Sequence, residues 1–116
     1  MNITRLHVGN RLSETAIHNG TVYLAGQIAD DTAADIGGQT REVLGHVDRL
    51  LMEAGSDKSR ILMCQIYIAD MVHFAGMNAV WDEWVAAGRA PPRATVEANL
   101  ANPACLVEIV VTAALR

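Results

Sequence analysis

The stretch Arg60–Ala69, RILMCQIYIA, decides the reading of this chain. Its apolar residues run almost without a break, which predicts a β-strand covered on both faces. Upstream, Ile36, Thr40, Val43, Leu44, Val47, Leu50, Leu51 and Ala54 recur at spacings of three and four. That is one face of a helix over residues 35–54, with Gly55 placed to cap its C-terminus. Downstream, residues 73–87 read as a second helix with Phe74, Met77, Trp81, Trp84 and Val85 on one side, ended by Gly88. A short strand over 94–98 and a long one over 106–114, rich in β-branched residues, complete the C-terminal half.

Towards the N-terminus, residues 3–8 look like an edge strand. Residues 16–18 and 21–27 flank Asn19-Gly20, a pair that tolerates the positive φ angles of a tight hairpin. The predicted order is β-β-β-α-β-α-β-β. It points to an α+β fold with a single mixed sheet and two helices packed on one face. So many apolar strand residues leave the other face needing cover, and a second copy of the chain is expected to supply it.

Length and composition set the outer bounds. A chain of 116 residues argues for one domain over 1–116. Half of it is hydrophobic (51%), too much for a disordered segment. The formal net charge is −4, and the nine Lys and Arg residues are scattered, with five aromatics. Nothing there tracks a phosphate backbone, so no nucleic-acid partner is expected. The N-terminus MNITRLHVGN lacks the apolar core of a secretory signal, and no run approaches the ~20 apolar residues of a membrane span. Two cysteines, Cys64 and Cys105, make no disulfide framework, so a reducing, cytoplasmic location with free thiols is expected.

Four histidines, His7, His18, His46 and His73, stand far apart without HxxxH or CxxC spacing, so no metal site is expected. Gly37-Gly38 precede no phosphate-loop Lys-Ser/Thr and read as residues at the start of the first helix. Three residues stand out instead. Arg93 follows Pro91-Pro92, which stiffen the backbone, and alternation puts Arg93, Thr95 and Glu97 on one side of their strand. A guanidinium on a stiff strand suits either capture of a carboxylate or a structural salt bridge. Glu108 interrupts LVEIVVTAAL. Partial desolvation there favours its neutral form and suits acid–base work; equally, it could be the buried partner of an arginine, Arg93 included. Gly26, at the end of TVYLAGQ, marks either a close approach of ligand or backbone, or a β-bulge.

Taken together, VYLAGQ at 22–27, Gln39-Thr40 in a helix ending LMEAGS, IYIADMVHFAGMN at 66–78, PPRATVEANL at 91–100 and VEI at 107–109 resemble the Rid family. These are the reactive intermediate deaminases, also called the YjgF family, and the resemblance spans nearly the whole chain. It implies a homotrimer with clefts between subunits and a chorismate mutase-like fold. It implies hydrolysis of 2-imino or enamine acids to 2-keto acids and ammonia, without a cofactor. In that frame Arg93 would hold the substrate carboxylate and Glu108 would position or activate water. The backbone at Gly26, with Thr95, would fix the imine, and Asn78 would lie near the site. The chain resembles a divergent branch: residues 11–16 contain no tyrosine, Thr95 stands where a cysteine is frequent, and Ala25 where a serine is. A trimeric carboxylate-binding or interaction protein without turnover is the main alternative. A chorismate mutase-like isomerase is a third, against which AGQ and PPRATVE argue.

Overall fold

The computed structural model describes residues 2–116. Six strands and two helices follow in the expected order: β1 (Thr4–Val8), β2 (Ser13–His18), β3 (Thr21–Leu24), α1 (Ile36–Ala54), β4 (Ile61–Ile68), α2 (Phe74–Trp84), β5 (Arg93–Glu97) and β6 (Val107–Ala114). They form one sheet in the order β1-β2-β3-β6-β4-β5. The β4–β5 pair is parallel and the other neighbours are antiparallel. A parallel pair needs a crossover, and α2 provides it.

Local chemistry fixes the joints. Asn19 (φ 51°) and Gly20 (φ 76°) make the β2–β3 hairpin turn, as its two positive φ angles require. Asp35 caps α1 by accepting from the Gly38 amide at 2.9 Å. At the other end Gly55 takes a left-handed φ of 91°, and the Ser56 amide turns back to the Leu51 carbonyl. Helix α2 stops three residues short of the expected end. The Lys58 ammonium donates to the last carbonyl, Trp84, at 2.6 Å, and Val85 is already extended. Gly88, at φ 72°, belongs to the turn that follows.

The helices cover one face of the sheet. Val22, Leu24, Ile66, Ile68, Val107, Ile109 and Val111 are buried there against Val43, Leu44, Val47, Leu50 and Leu51 of α1 and Met77, Val80 and Trp81 of α2. Within the single chain β4 is covered on the helix face alone. Cys64, Ile66 and Ile68 are buried, but Gln65 and Tyr67 are only half-buried and Met63 is 40% exposed. A register shift between Ile61 and Met63 turns Leu62 outward as well. On the open face Tyr23 (49%) and Val96 (44%) are also exposed. Among the described residues no helix is long and apolar enough to cross a membrane.

Strand β2 begins three residues before its predicted start, and β3 ends three residues early. Tyr23 pairs with Thr112, and Gln27 rejoins the sheet opposite Ile109. Four steps along one chain therefore match three along the other, the one-residue excess of a β-bulge. The interruption falls on Ala25-Gly26.

Candidate functional site

Arg93 opens β5, and its approach is rigid. The Cys64 amide of β4 holds the Pro92 carbonyl at 3.0 Å, so the residue after the two prolines enters the sheet in one orientation. In the parallel register Arg93 lies opposite Cys64 and Thr95 opposite Ile66, both on the helix-covered side. The Arg93 Nη2 donates to Asn78 Oδ1 at 2.7 Å, and its Cζ lies 4.9 Å from the Trp81 ring centroid. Asn78 and Trp81 are i and i+3 on α2 and share a face. Arg93 Nη1 is buried without a hydrogen-bond partner. Such an unmet donor costs about 1–3 kcal/mol, more when it carries charge.

Glu108 lies on the opposite, open face of the sheet. Strand β6 alternates strictly: Val107, Ile109 and Val111 face the helices, and Glu108 and Val110 face away. Glu108 is half-buried and pairs across β4 with Tyr67. Its carboxylate rests against Gly26. A Cβ built on Gly26 would overlap Glu108 Oε2 and lie 2.9 Å from Cδ. Of the two sequence readings of Gly26 the bulge is the one present, and it brings the bare backbone against the Glu108 carboxylate. Gln27 braces the segment through Nε2, donating to Ala25 O at 3.0 Å and Glu14 Oε2 at 3.2 Å.

The expected residues form two half-sites. Arg93 and Asn78 are joined, with Thr95 on the same face of β5; Glu108 and Gly26 are joined. Within one chain the halves do not meet. Strand β4 lies between them, the register displaces them by three residues along it, and they face opposite ways. Strand spacings put their Cα atoms roughly 14 Å apart. The expectation that Glu108 could be the structural partner of Arg93 is therefore corrected within the chain: Asn78 and Trp81 occupy that role.

The match with known proteins covers the same residues. The family model described as Endoribonuclease L-PSP matches residues 2–115. A RutC family protein of Haemophilus ducreyi is 53% identical over 114 residues, covering 98% of this chain and 97% of that protein. The chain belongs to the YjgF/Rid family. The RutC family protein YoaB of Escherichia coli, 44% identical over 115 residues, covers 99% of this Rid chain and is itself wholly covered. Among solved structures, a YjgF family member from Neisseria meningitidis matches with a TM-score of 0.97 at 46% identity, over all of this chain and 97% of that one. The Rid family protein YyfA of Yersinia pestis matches at 0.85 with 32% identity, over 93% and 90%.

Two contributors to the Rid chain's half-sites were not singled out from sequence. Trp81 reads as core, and it is 5% exposed, but it is also the platform for Arg93; the i, i+3 spacing to Asn78 was the available signal. Tyr67 pairs with Glu108 only through long-range register, which no local pattern displays.

Among the described residues one cluster has metal-like spacing: Asp30, Glu42 and His46. Glu42 accepts from the Asp30 amide at 2.7 Å and the Asp31 amide at 3.1 Å, and these bonds hold its carboxyl below the usual range. Arg49 Nη2 lies 3.2 Å from His46 Nδ1. A guanidinium can only donate, so Nδ1 accepts and Nε2 carries the proton towards Glu42 and Asp30. A metal-bound imidazole needs the reverse arrangement. The cluster anchors the loop before α1. Both thiols are buried. Desolvation pushes Cys64 up to about 12, opposed by the Arg93 charge, and raises Cys105, helped by Glu108.

Proposed function

We propose that this protein hydrolyses 2-imino or enamine acids to 2-keto acids and ammonia, in a cleft where Arg93 of one copy meets Glu108 of the next. The observation that carries the reading is the guanidinium of Arg93. It is oriented by Asn78 and Trp81, faces no acid among the described residues, and holds one unmatched buried donor. A planar cation fixed in that way suits the fork of a carboxylate. The half-sites face opposite sides of one sheet, so a site using both calls for two copies. The exposed apolar residues Tyr23, Met63 and Val96 offer the surface for that contact. We place the protein in a homotrimer with three such clefts.

The chemistry asks little of the protein. A protonated C=N carbon is already electrophilic. Arg93 holds the carboxylate and Thr95, on the same strand face, lies beside it. Glu108 takes a proton from water as the oxygen bonds to the imine carbon, giving a carbinolamine. It returns that proton to nitrogen, then takes the hydroxyl proton as the C–N bond breaks and the carbonyl forms. Ammonia leaves with a 2-keto acid behind, and the proton passes from Glu108 to the departing ammonia or to water. Positioning and one acid–base group suffice, so no cofactor is invoked.

A second reading, binding without turnover, draws on the Arg93 half-site being complete as a clamp within one chain. The two are separated by an assay in which an amino-acid oxidase generates imines in situ and keto-acid release is timed with and without the protein. Acceleration that saturates supports the enzyme; keto-acid binding without acceleration supports the binder. The family description names an endoribonuclease. An acidic chain with nine dispersed cations gives RNA little to grip, and single-stranded RNA is expected to remain intact and unbound at 0.15 M salt, a physiological ionic strength.

A further inference from the structure

We infer that Asp48 and Trp84 are positioning residues for the carboxylate clamp: acting through Trp81, they fix the plane in which Arg93 presents its fork. This rests on the clamp of the reading above and deepens it. Trp81 and Trp84 are the chain's two tryptophans, i and i+3 on α2. Their ring centroids lie 5.2 Å apart at an interplanar angle of 53°. Contacts therefore run unbroken from Asp48 of α1 through the two indoles to Arg93, whose Cζ lies 4.9 Å from the Trp81 centroid.

Packing alone does not hold Trp84. It is half-buried and lines an open groove of about 260 Å³ between the two helices, with Leu44, Gly45 and Val80 beside it. Gly45 leaves that groove unfilled, since a Cβ there would meet nothing within 4 Å. Two polar contacts fix the indole instead. Its Nε1–H donates to Asp48 Oδ2 at 2.9 Å. Lys58 Nζ lies 5.3 Å from the ring centroid while it donates to the Trp84 carbonyl at 2.6 Å. Among the described residues Asp48 makes no salt bridge, so its carboxylate serves the indole N–H through a charge-assisted bond.

The clamp needs such support. Arg93 has one anchored end, Nη2 on Asn78 Oδ1 at 2.7 Å, and one end without a partner, Nη1. A single hydrogen bond leaves a guanidinium free to turn about it, and the Trp81 ring removes that freedom. Bidentate capture of a carboxylate needs two N–H directions in one plane. A Trp81 ring free to rock therefore weakens binding. It leaves the acid–base step at Glu108 unchanged, because that residue faces the other side of the sheet. A cation held over an indole is worth about two- to thirtyfold in an equilibrium constant. Loss of the support behind the indole belongs at the lower end of that range.

The test measures 2-ketobutyrate binding by calorimetry beside imine turnover. Asp48→Ala is expected to raise Kd and KM about three- to tenfold, with kcat within about twofold of wild type. Asp48→Asn retains an acceptor for the indole and is expected to keep Kd within about twofold. In a double-mutant cycle with Trp81→Phe, the pair should lose less than the product of the single losses. Should Asp48→Ala fail to fold, Trp84→Phe removes the same hydrogen bond and takes its place in the series. Unchanged Kd in the folded variant, equal losses for alanine and asparagine, independent losses in the cycle, or a fall in kcat at constant Kd each overturn the proposal. Those outcomes with binding still abolished by Arg93→Ala leave the clamp standing. Absence of turnover in the wild type removes the deaminase reading, and the Kd series then decides the positioning role alone. Failure of the wild type to bind 2-ketobutyrate removes the clamp and its support together.

Discussion

The two faces of the sheet are built from the same strands but to different ends. On the helix side every second residue of β6, Val107, Ile109 and Val111, is buried to within 1% exposure. On the other side Glu108 and Val110 are half-buried, and Tyr23, Met63 and Val96 remain exposed. The covered face provides stability. The open face holds a carboxylate among apolar residues, an arrangement that is useful once a second surface dries it. Arg93 and Glu108 stand on opposite sides of this division, so the proposed reaction depends on both faces at once.

The largest effect is expected on chemistry alone. Glu108→Gln keeps shape and removes the base, so imine turnover should fall about 10²–10⁴-fold, while keto-acid binding by calorimetry persists. Loss of binding instead would assign Glu108 to the assembly.

The contrast between faces is sharpened by a pair of neighbours. Ile109→Ala should cost about 2–5 kcal/mol in urea unfolding, because it opens a cavity against the helices. Val110→Asp, one residue away, should leave the chain folded by circular dichroism and convert a trimer to monomer in sedimentation. Equal unfolding penalties for both would erase the distinction between the faces.

Arg93→Ala should weaken keto-acid binding at least about tenfold, the value of a charge-assisted pair. Arg93→Lys should recover little, since an ammonium lacks the planar fork. Unchanged binding in a folded Arg93→Ala protein would remove the clamp. The smallest effect is on the thiols. With Cys64 pushed up to about 12 and Cys105 buried, a thiol reagent at pH 8 should modify neither in the folded protein and both after unfolding in guanidinium. Rapid reaction of one thiol in the native state would reveal a reactive cysteine.

How far the sequence carried differs by region. Helix α1 was legible almost to the residue, because its apolar period, Asp35 and Gly55 agree. Strand β2 was read short because Ser13-Glu14-Thr15 carry no apolar signal and are held by pairing with β1 and β3. Strand β3 was read long because Ala25-Gly26-Gln27 continue its pattern while the backbone leaves the ladder. Arg93, Glu108 and Gly26 were found as local anomalies. Which of them meet was not legible, because facing depends on register between β4, β5 and β6.

The place of β6 in the sheet reaches into how the protein is made. It joins β3 to β4, yet it follows the other five strands in the chain. During synthesis the β1–β3 meander and the β4–β5 pair emerge first, each with an open edge, and cannot join until residue 107 and those after it leave the ribosome. Closure then depends on contacts spanning more than ninety residues, such as Thr21 with Ala114, and such pairings form slowly. Until that moment the nascent chain displays two unpaired edges and an apolar sheet face, so its greatest exposure to aggregation falls before the last strand arrives.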